Sequence, residues 1–138
     1  MNERRTSVPS EAAQLPVLAQ FLQEFWSAAD LPPAQSFPFE IALEEIFMNV
    51  VMHGTPAGGR PCVEVCLALA GDELTLAVED EGPPFDPLTV PAPDTQARLE
   101  QRQIGGLGVY FVRQLMDAVS YRRVGPRNQL RMTKHLAR

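Results

Sequence analysis

Two stretches alternate without a break: Val63, Val65, Leu67 and Leu69 against Cys62, Glu64, Cys66 and Ala68, then Leu74, Leu76 and Val78 against Thr75, Ala77 and Glu79. Period-2 alternation of this length makes strands with one apolar face. Ala70-Gly71-Asp72-Glu73 between them folds the pair into an antiparallel hairpin. A sheet that is apolar on one side only must be covered on that side. Helical patterns supply the cover. Leu18, Phe21, Leu22, Phe25 and Trp26 recur at helical spacing until Asp30-Leu31-Pro32-Pro33 stops them. Phe39, Leu43, Ile46, Phe47 and Val50, widened by Val51 and Met52, form the apolar face of a second helix from Phe37 to Gly54. Val109, Phe111, Val112, Leu115 and Met116 mark a third. Val119 to Val124, a turn at Gly125-Pro126-Arg127-Asn128, and Leu130 and Met132 alternating with Arg131 and Thr133 predict two more strands. Residues 1 to about 10 read as a frayed arm. The expectation is three helices and four antiparallel strands in an α+β, two-layer sandwich, a mainly antiparallel sheet with helices on one face.

At 138 residues and 45% hydrophobic content the chain reads as one domain, 1–138, able to bury a core without disulfides. Seventeen acidic residues against 12 basic ones, formal charge -5, argue against direct nucleic-acid binding and leave no basic stripe for a membrane surface. Lys134 is the only lysine, and no Gly-Lys-Ser or Gly-Lys-Thr occurs, so a Walker-type phosphate loop is excluded. Cys62 and Cys66 on one strand stand roughly 13 Å apart, beyond disulfide reach, and are expected as free thiols. With no signal-peptide core near Glu3, Arg4, Arg5 and Glu11 and no run of membrane-spanning length, the expected location is the cytoplasm.

Three polar residues interrupt the second helix. Glu45, Asn49 and His53 follow each other at i, i+4 and i+8, which places them on one stripe. A carboxylate and a carboxamide so stacked can hold a hydrated cation, and a desolvated Glu45 would have its pKa raised toward the range of a general base. The alternative is that Glu45 and Asn49 line a solvated helix edge beside Glu40 and Glu44. His53, immediately before Gly54, suits a helix C-terminus. His53 and His135 are the two histidines, without a ligand cluster around them, so a zinc site is not expected. The aromatic stripe with Trp26 has the period of an ordinary core helix.

The second strand delivers Asp80-Glu81-Gly82 at its end, where an acid and a glycine can meet a ligand. From Pro83 to Ile104 the chain holds five prolines, at 83, 84, 87, 91 and 93, and little periodicity until Asp94 to Arg102, which is compatible with a short polar helix. This long segment, 83–104, reads as a lid. It runs into Ile104-Gly105-Gly106-Leu107-Gly108 at the start of the third helix, where bare backbone amides can close on a phosphate. A hinge with a helix cap is the alternative. A dinucleotide fingerprint fits poorly, because its third glycine would fall on Phe111 and the segment follows a loop.

Glu45-x-x-x-Asn49 on a helix, Asp80-x-Gly82 after a strand, and Gly105-Gly106-Leu107-Gly108 behind a long loop occur in a fixed order. Together they resemble the GHKL ATPase superfamily of gyrase, Hsp-type chaperones, histidine kinases and mismatch-repair proteins, and within it the bacterial anti-sigma-factor serine/threonine kinases of the RsbW and SpoIIAB type. The resemblance runs from the first helix to the strand ending at Lys134. It implies ATP and Mg²⁺ as cofactors. It assigns Asn49 to the metal that bridges the phosphates and Glu45 to the general base. Asp80 would accept from the adenine amino group, Gly82 would let the base approach, and Ile104, Gly105, Gly106, Leu107 and Gly108 would wrap the phosphates. It also implies a sigma factor and an antagonist protein of the STAS type as partners, and allows a homodimer.

This sequence departs from the pattern in three places. Gly82 is followed by Pro83-Pro84-Phe85-Asp86 where the superfamily continues to another glycine. Arg127-Asn128-Gln129 stands where a Gly-Thr pair is usual. Arg98 and Arg102 are the candidates for a lid arginine at the terminal phosphate.

The expected function is an ATP-binding kinase that phosphorylates the antagonist and binds the sigma factor. The alternative is a nucleotide-sensing module of the same fold without transferase activity. A sensor histidine kinase fragment is disfavoured by the lack of an upstream phospho-acceptor helix.

Overall fold

A computed structural model describes residues 2–53, 62–89 and 104–137. The alternating hairpin forms as the sequence predicts. β2 (Cys62–Ala70) and β3 (Glu73–Asp80) pair antiparallel from Val63↔Asp80 to Ala70↔Glu73, and Gly71 takes φ 63° in the turn, a conformation glycine enters without strain. The sheet has five strands in the order β1-β2-β3-β5-β4, with β1 at Asn2–Pro9, β4 at Ala118–Val124 and β5 at Arg127–His135. Every neighbouring pair is antiparallel.

Three helices cover one face: α1 (Leu15–Ala28), α2 (Phe37–His53) and α3 (Ile104–Leu115). Their apolar stripes, Leu18, Leu22 and Phe25 on α1, Phe39, Leu43 and Phe47 on α2, Val109 and Val112 on α3, join the inward residues of β2, β3 and β5 in one buried core. α1 ends where Asp30 turns to φ 52° and the Trp26 indole N–H donates to the Pro32 carbonyl at 2.8 Å, so Trp26 is core with its polar edge satisfied. No described helix is long and apolar enough to cross a membrane.

No described helix lies on the opposite face of the sheet, which is laced with charge. Glu64 and Glu79 are cross-strand partners, a repulsive pairing that the Arg127 guanidinium bridges, 2.6 Å from Glu64 and 3.9 Å from Glu79. The hydrogen bond to Glu64 in turn holds the Arg127 proton more tightly than usual. Cys62 and Cys66 lie on this face as free thiols, and burial pushes the Cys66 thiol up.

Three expectations are corrected. The first residues are not a frayed arm but strand β1, so the sheet has five strands and not four. Of its residues only Val8 is buried, opposite Val63, so the strand carries almost no apolar alternation; its backbone ladder with β2 is what orders it. The β4–β5 turn is shorter than expected, because Arg127 and Asn128 already belong to β5. The third helix begins at Ile104, with the glycines in its first turns as the sequence predicts. Met52 does not widen the buried face of α2: it is 57% exposed.

Candidate functional site

The antiparallel register of β3 and β5 sets Asp80 directly opposite Asn128, at the end of the sheet over which the last turns of α2 pass. Between them opens a pocket of about 460 Å³, counted out to its mouth. Ile46 and Val50 of α2, Val78 of β3 and Leu130 of β5 make its apolar walls; Asn49, Asp80 and Asn128 are its polar groups, and Gly82, Pro83 and Phe85 close one side. Apolar walls with a few convergent polar groups suit a flat, partly polar ligand.

Asp80 is held by one oxygen. Its Oδ1 accepts from the Gly82 N–H at 2.8 Å and from Asn128 Nδ2 at 3.1 Å, while Oδ2 takes no hydrogen bond from any described residue. The carboxylate is thus fixed in orientation with an acceptor to spare. Asn128, 7% exposed, is the hub of this end. Its Nδ2 also donates to the Pro83 carbonyl at 2.9 Å and, weakly, to that of Gly82 at 3.4 Å, and its Oδ1 accepts from the Phe85 N–H at 3.2 Å and from the Tyr121 hydroxyl. Arg123 donates to the Gly82 carbonyl at 2.7 Å. A short helical turn at Pro87–Thr89 follows, and Arg113 of α3 donates to Leu88 O at 3.3 Å.

The stripe on α2 divides. Asn49 is 7% exposed, lines the pocket, and makes no side-chain hydrogen bond with a described residue, which leaves its carboxamide available to a ligand or a cation. His53 also lines the pocket, its ring stacked on Phe85 with centroids 4.1 Å apart and planes at 22°. The sequence offers it a capping role at the helix end; the structure adds an aromatic partner. Glu45 does not line this pocket. It lies against Gly108 of α3, and burial, with a smaller contribution from Glu44, pushes its carboxyl above the usual range.

A magnesium ion carried on phosphates fits this donor set. No described group of His, Cys, Asp or Glu forms a metal cage, and Mg²⁺ on a nucleotide needs only one or two protein oxygens, its other positions being phosphate and water. Asn49, which lines the pocket, would offer such an oxygen in its carboxamide.

Sequence reasoning therefore names four residues that the fold brings to one pocket: Asn49, Asp80 and Gly82 as ligand groups, and His53 beside them. Glu45 and Gly108 meet each other at its flank. Arg98, Arg102 and most of the 83–104 lid, the short polar helix included, lie outside the described residues, as do the side chains of Ile104 and Leu107 and the surroundings of Gly105 and Gly106. Missed as site residues were Asn128, Phe85 and Tyr121. The signal for Asn128 was its position in the last strand, which a turn placed two residues too far along concealed.

The family described as the histidine kinase-like ATPase domain matches residues 8–134. Among curated proteins the chain is similar to the serine/threonine-protein kinase BtrW of Bordetella bronchiseptica, 29% identical over 116 residues, which are 84% of this chain and 78% of that protein. Among solved structures it resembles the RsbU and RsbW domains of a Mycobacterium tuberculosis protein with a TM-score of 0.70 and 16% identity over 100% of this chain; it spans 33% of that longer chain, and the likeness is one of fold. The family match begins on β1 and ends on β5, taking in both halves of the pocket, and the chain belongs to the histidine kinase-like ATPase domain family.

Proposed function

We propose that the chain is an ATP-binding serine/threonine protein kinase that acts as an anti-sigma regulatory factor in the cytoplasm, binding a sigma factor and phosphorylating an antagonist of the STAS type. The observation that carries the nucleotide part is the carboxylate of Asp80, oriented through Oδ1 with Oδ2 taking no hydrogen bond from a described residue, in the same pocket as the Asn49 carboxamide. Family membership and the similarity to BtrW support the kinase part.

MgATP, when bound, supplies the transferable phosphoryl group. Asp80 Oδ2 accepts from the exocyclic amine of adenine, and the apolar walls at Ile46, Val50 and Leu130 exclude water from the base. Asn49 Oδ1 serves the metal. Glu45, with its carboxyl shifted upward by burial, takes the proton of the incoming serine or threonine hydroxyl.

Calorimetry tests the pocket. Asp80→Asn presents a donor to the adenine amine and should weaken ATP by about five- to a hundredfold, corresponding to ~1–3 kcal/mol, while erasing the preference for adenine over guanine nucleotides. Asn49→Ala should weaken MgATP more than metal-free ATP. A variant at Asp80 that discriminates like the parent would overturn the assignment.

A second reading, a nucleotide-sensing module without transfer, draws on Glu45 lying outside the pocket. Labelled ATP, magnesium and an antagonist protein decide between them: Glu45→Gln abolishes transfer and keeps binding if the chain is a kinase.

A further inference from the structure

Gly108 is buried in α3, its φ is not positive, and nothing in its own backbone conformation calls for glycine. Inside a helix, glycine is less favourable than alanine. The reason for its presence stands across the interface. A Cβ at position 108 would fall 2.2 Å from Glu45 Oε2, 3.0 Å from its Cδ and 3.5 Å from its Cβ. The whole Glu45 side chain is thus laid along the bare Cα of Gly108, and the slot that receives its carboxylate is the missing side chain itself. The atoms that a methyl group at 108 would meet are the far end of the flexible Glu45 side chain, so it would displace the carboxylate and leave α2 and α3 packed as neighbours.

We infer that Gly108 is a positioning residue for Glu45, opening in α3 the slot that fixes where the Glu45 carboxylate stands. This rests on the proposal that Glu45 is the base of a kinase. It differs from the phosphate-wrapping role that the resemblance gives to Gly108, in which the bare backbone serves the nucleotide and not another side chain. The two roles separate on what a methyl group at 108 damages first, transfer or binding.

The test is a pair of double-mutant cycles on the full chain. In thermal unfolding, Gly108→Ala should raise Tm less in the wild-type background, where the Glu45 carboxylate must leave its slot, than where that side chain is absent. In the Glu45→Ala background it should raise Tm, by on the order of 2–4 °C, because only the helix preference for alanine then remains. If Gly108→Ala alone does not fold, the Glu45→Ala/Gly108→Ala protein should. In phosphoryl transfer, Gly108→Ala should cost up to about a hundredfold in kcat. The dissociation constant for MgATP should rise by a smaller factor. Glu45→Asp, whose shorter side chain draws back from position 108, should lower transfer on its own and raise it in the Gly108→Ala protein.

The inference is overturned if Gly108→Ala shifts Tm equally with and without the Glu45 side chain, if the paired variant also fails to fold, or if Glu45→Asp costs the same factor in both backgrounds. Failure of the kinase reading looks different: the parent chain then transfers no phosphoryl group to the antagonist, and the stability cycle alone decides whether Gly108 seats the carboxylate.

Discussion

Glu45 and Asn49 stand one helical turn apart on α2 and meet unlike surroundings. Asn49 is neutral and waits in the pocket; Glu45 is ionisable and pressed against a helix. Because burial raises the Glu45 carboxyl pKa in the folded chain, the folded state holds that proton more tightly than the unfolded one. Its contribution to stability is therefore fully present below the ordinary glutamate range, about pH 4.3, and is lost as pH climbs through the raised value. Glu45→Gln removes the ionisation. The variant should melt above the parent at pH 7, and the gain should vanish as pH falls below 4.3. A difference in Tm that is independent of pH, or of opposite sign at neutrality, would refute this. The polar stripe was legible in the sequence because helical periodicity places i and i+4 together whatever lies around them. What each residue faces was not, since that depends on α3 and on a strand more than forty positions away.

At the level of elements, the amphipathic helices and the alternating hairpin could be read directly, because burial on one face leaves a period in the sequence. Strand β1 left none. Its residues are charged or polar apart from Val8 and Pro9, which suits a sheet edge that must not recruit further strands, and it is ordered by pairing with β2 from Asn2↔Leu69 to Pro9↔Cys62. Val8 is the strand's apolar anchor at 4% exposure. Val8→Asp should destabilise the chain by about 3 kcal/mol, read as a lowered urea midpoint, through burial of an unpaired charge. An unchanged midpoint would mean that β1 is not part of the folded sheet. The chain's one lysine is also structural: Lys134 donates to Leu115 O at 2.9 Å and caps the end of α3 from β5.

Across the whole molecule, the sheet joins a local hairpin to a distant one. β2 and β3 meet across a tight turn, whereas β3 pairs with β5 only after the long excursion through α3 and β4. Asn128 reaches Asp80, Gly82, Pro83 and Phe85 over separations of 48, 46, 45 and 43 residues. Such contacts carry the largest loop-closure cost and give nothing back until the ladder is in register. The order of events in folding follows from this. The expectation is that the first hairpin and its helices condense early and that the pocket forms last, when β5 docks. Asn128→Ala should destabilise by about 1–3 kcal/mol, with nearly all of it in a faster unfolding rate and little in the folding rate. A variant that instead folds slower by the full amount would place β5 docking before the barrier. On the proposed function, a pocket that forms last gives nucleotide nothing to hold on a partly folded chain, so binding would act as a check on completion and draw forward only molecules whose final ladder has closed.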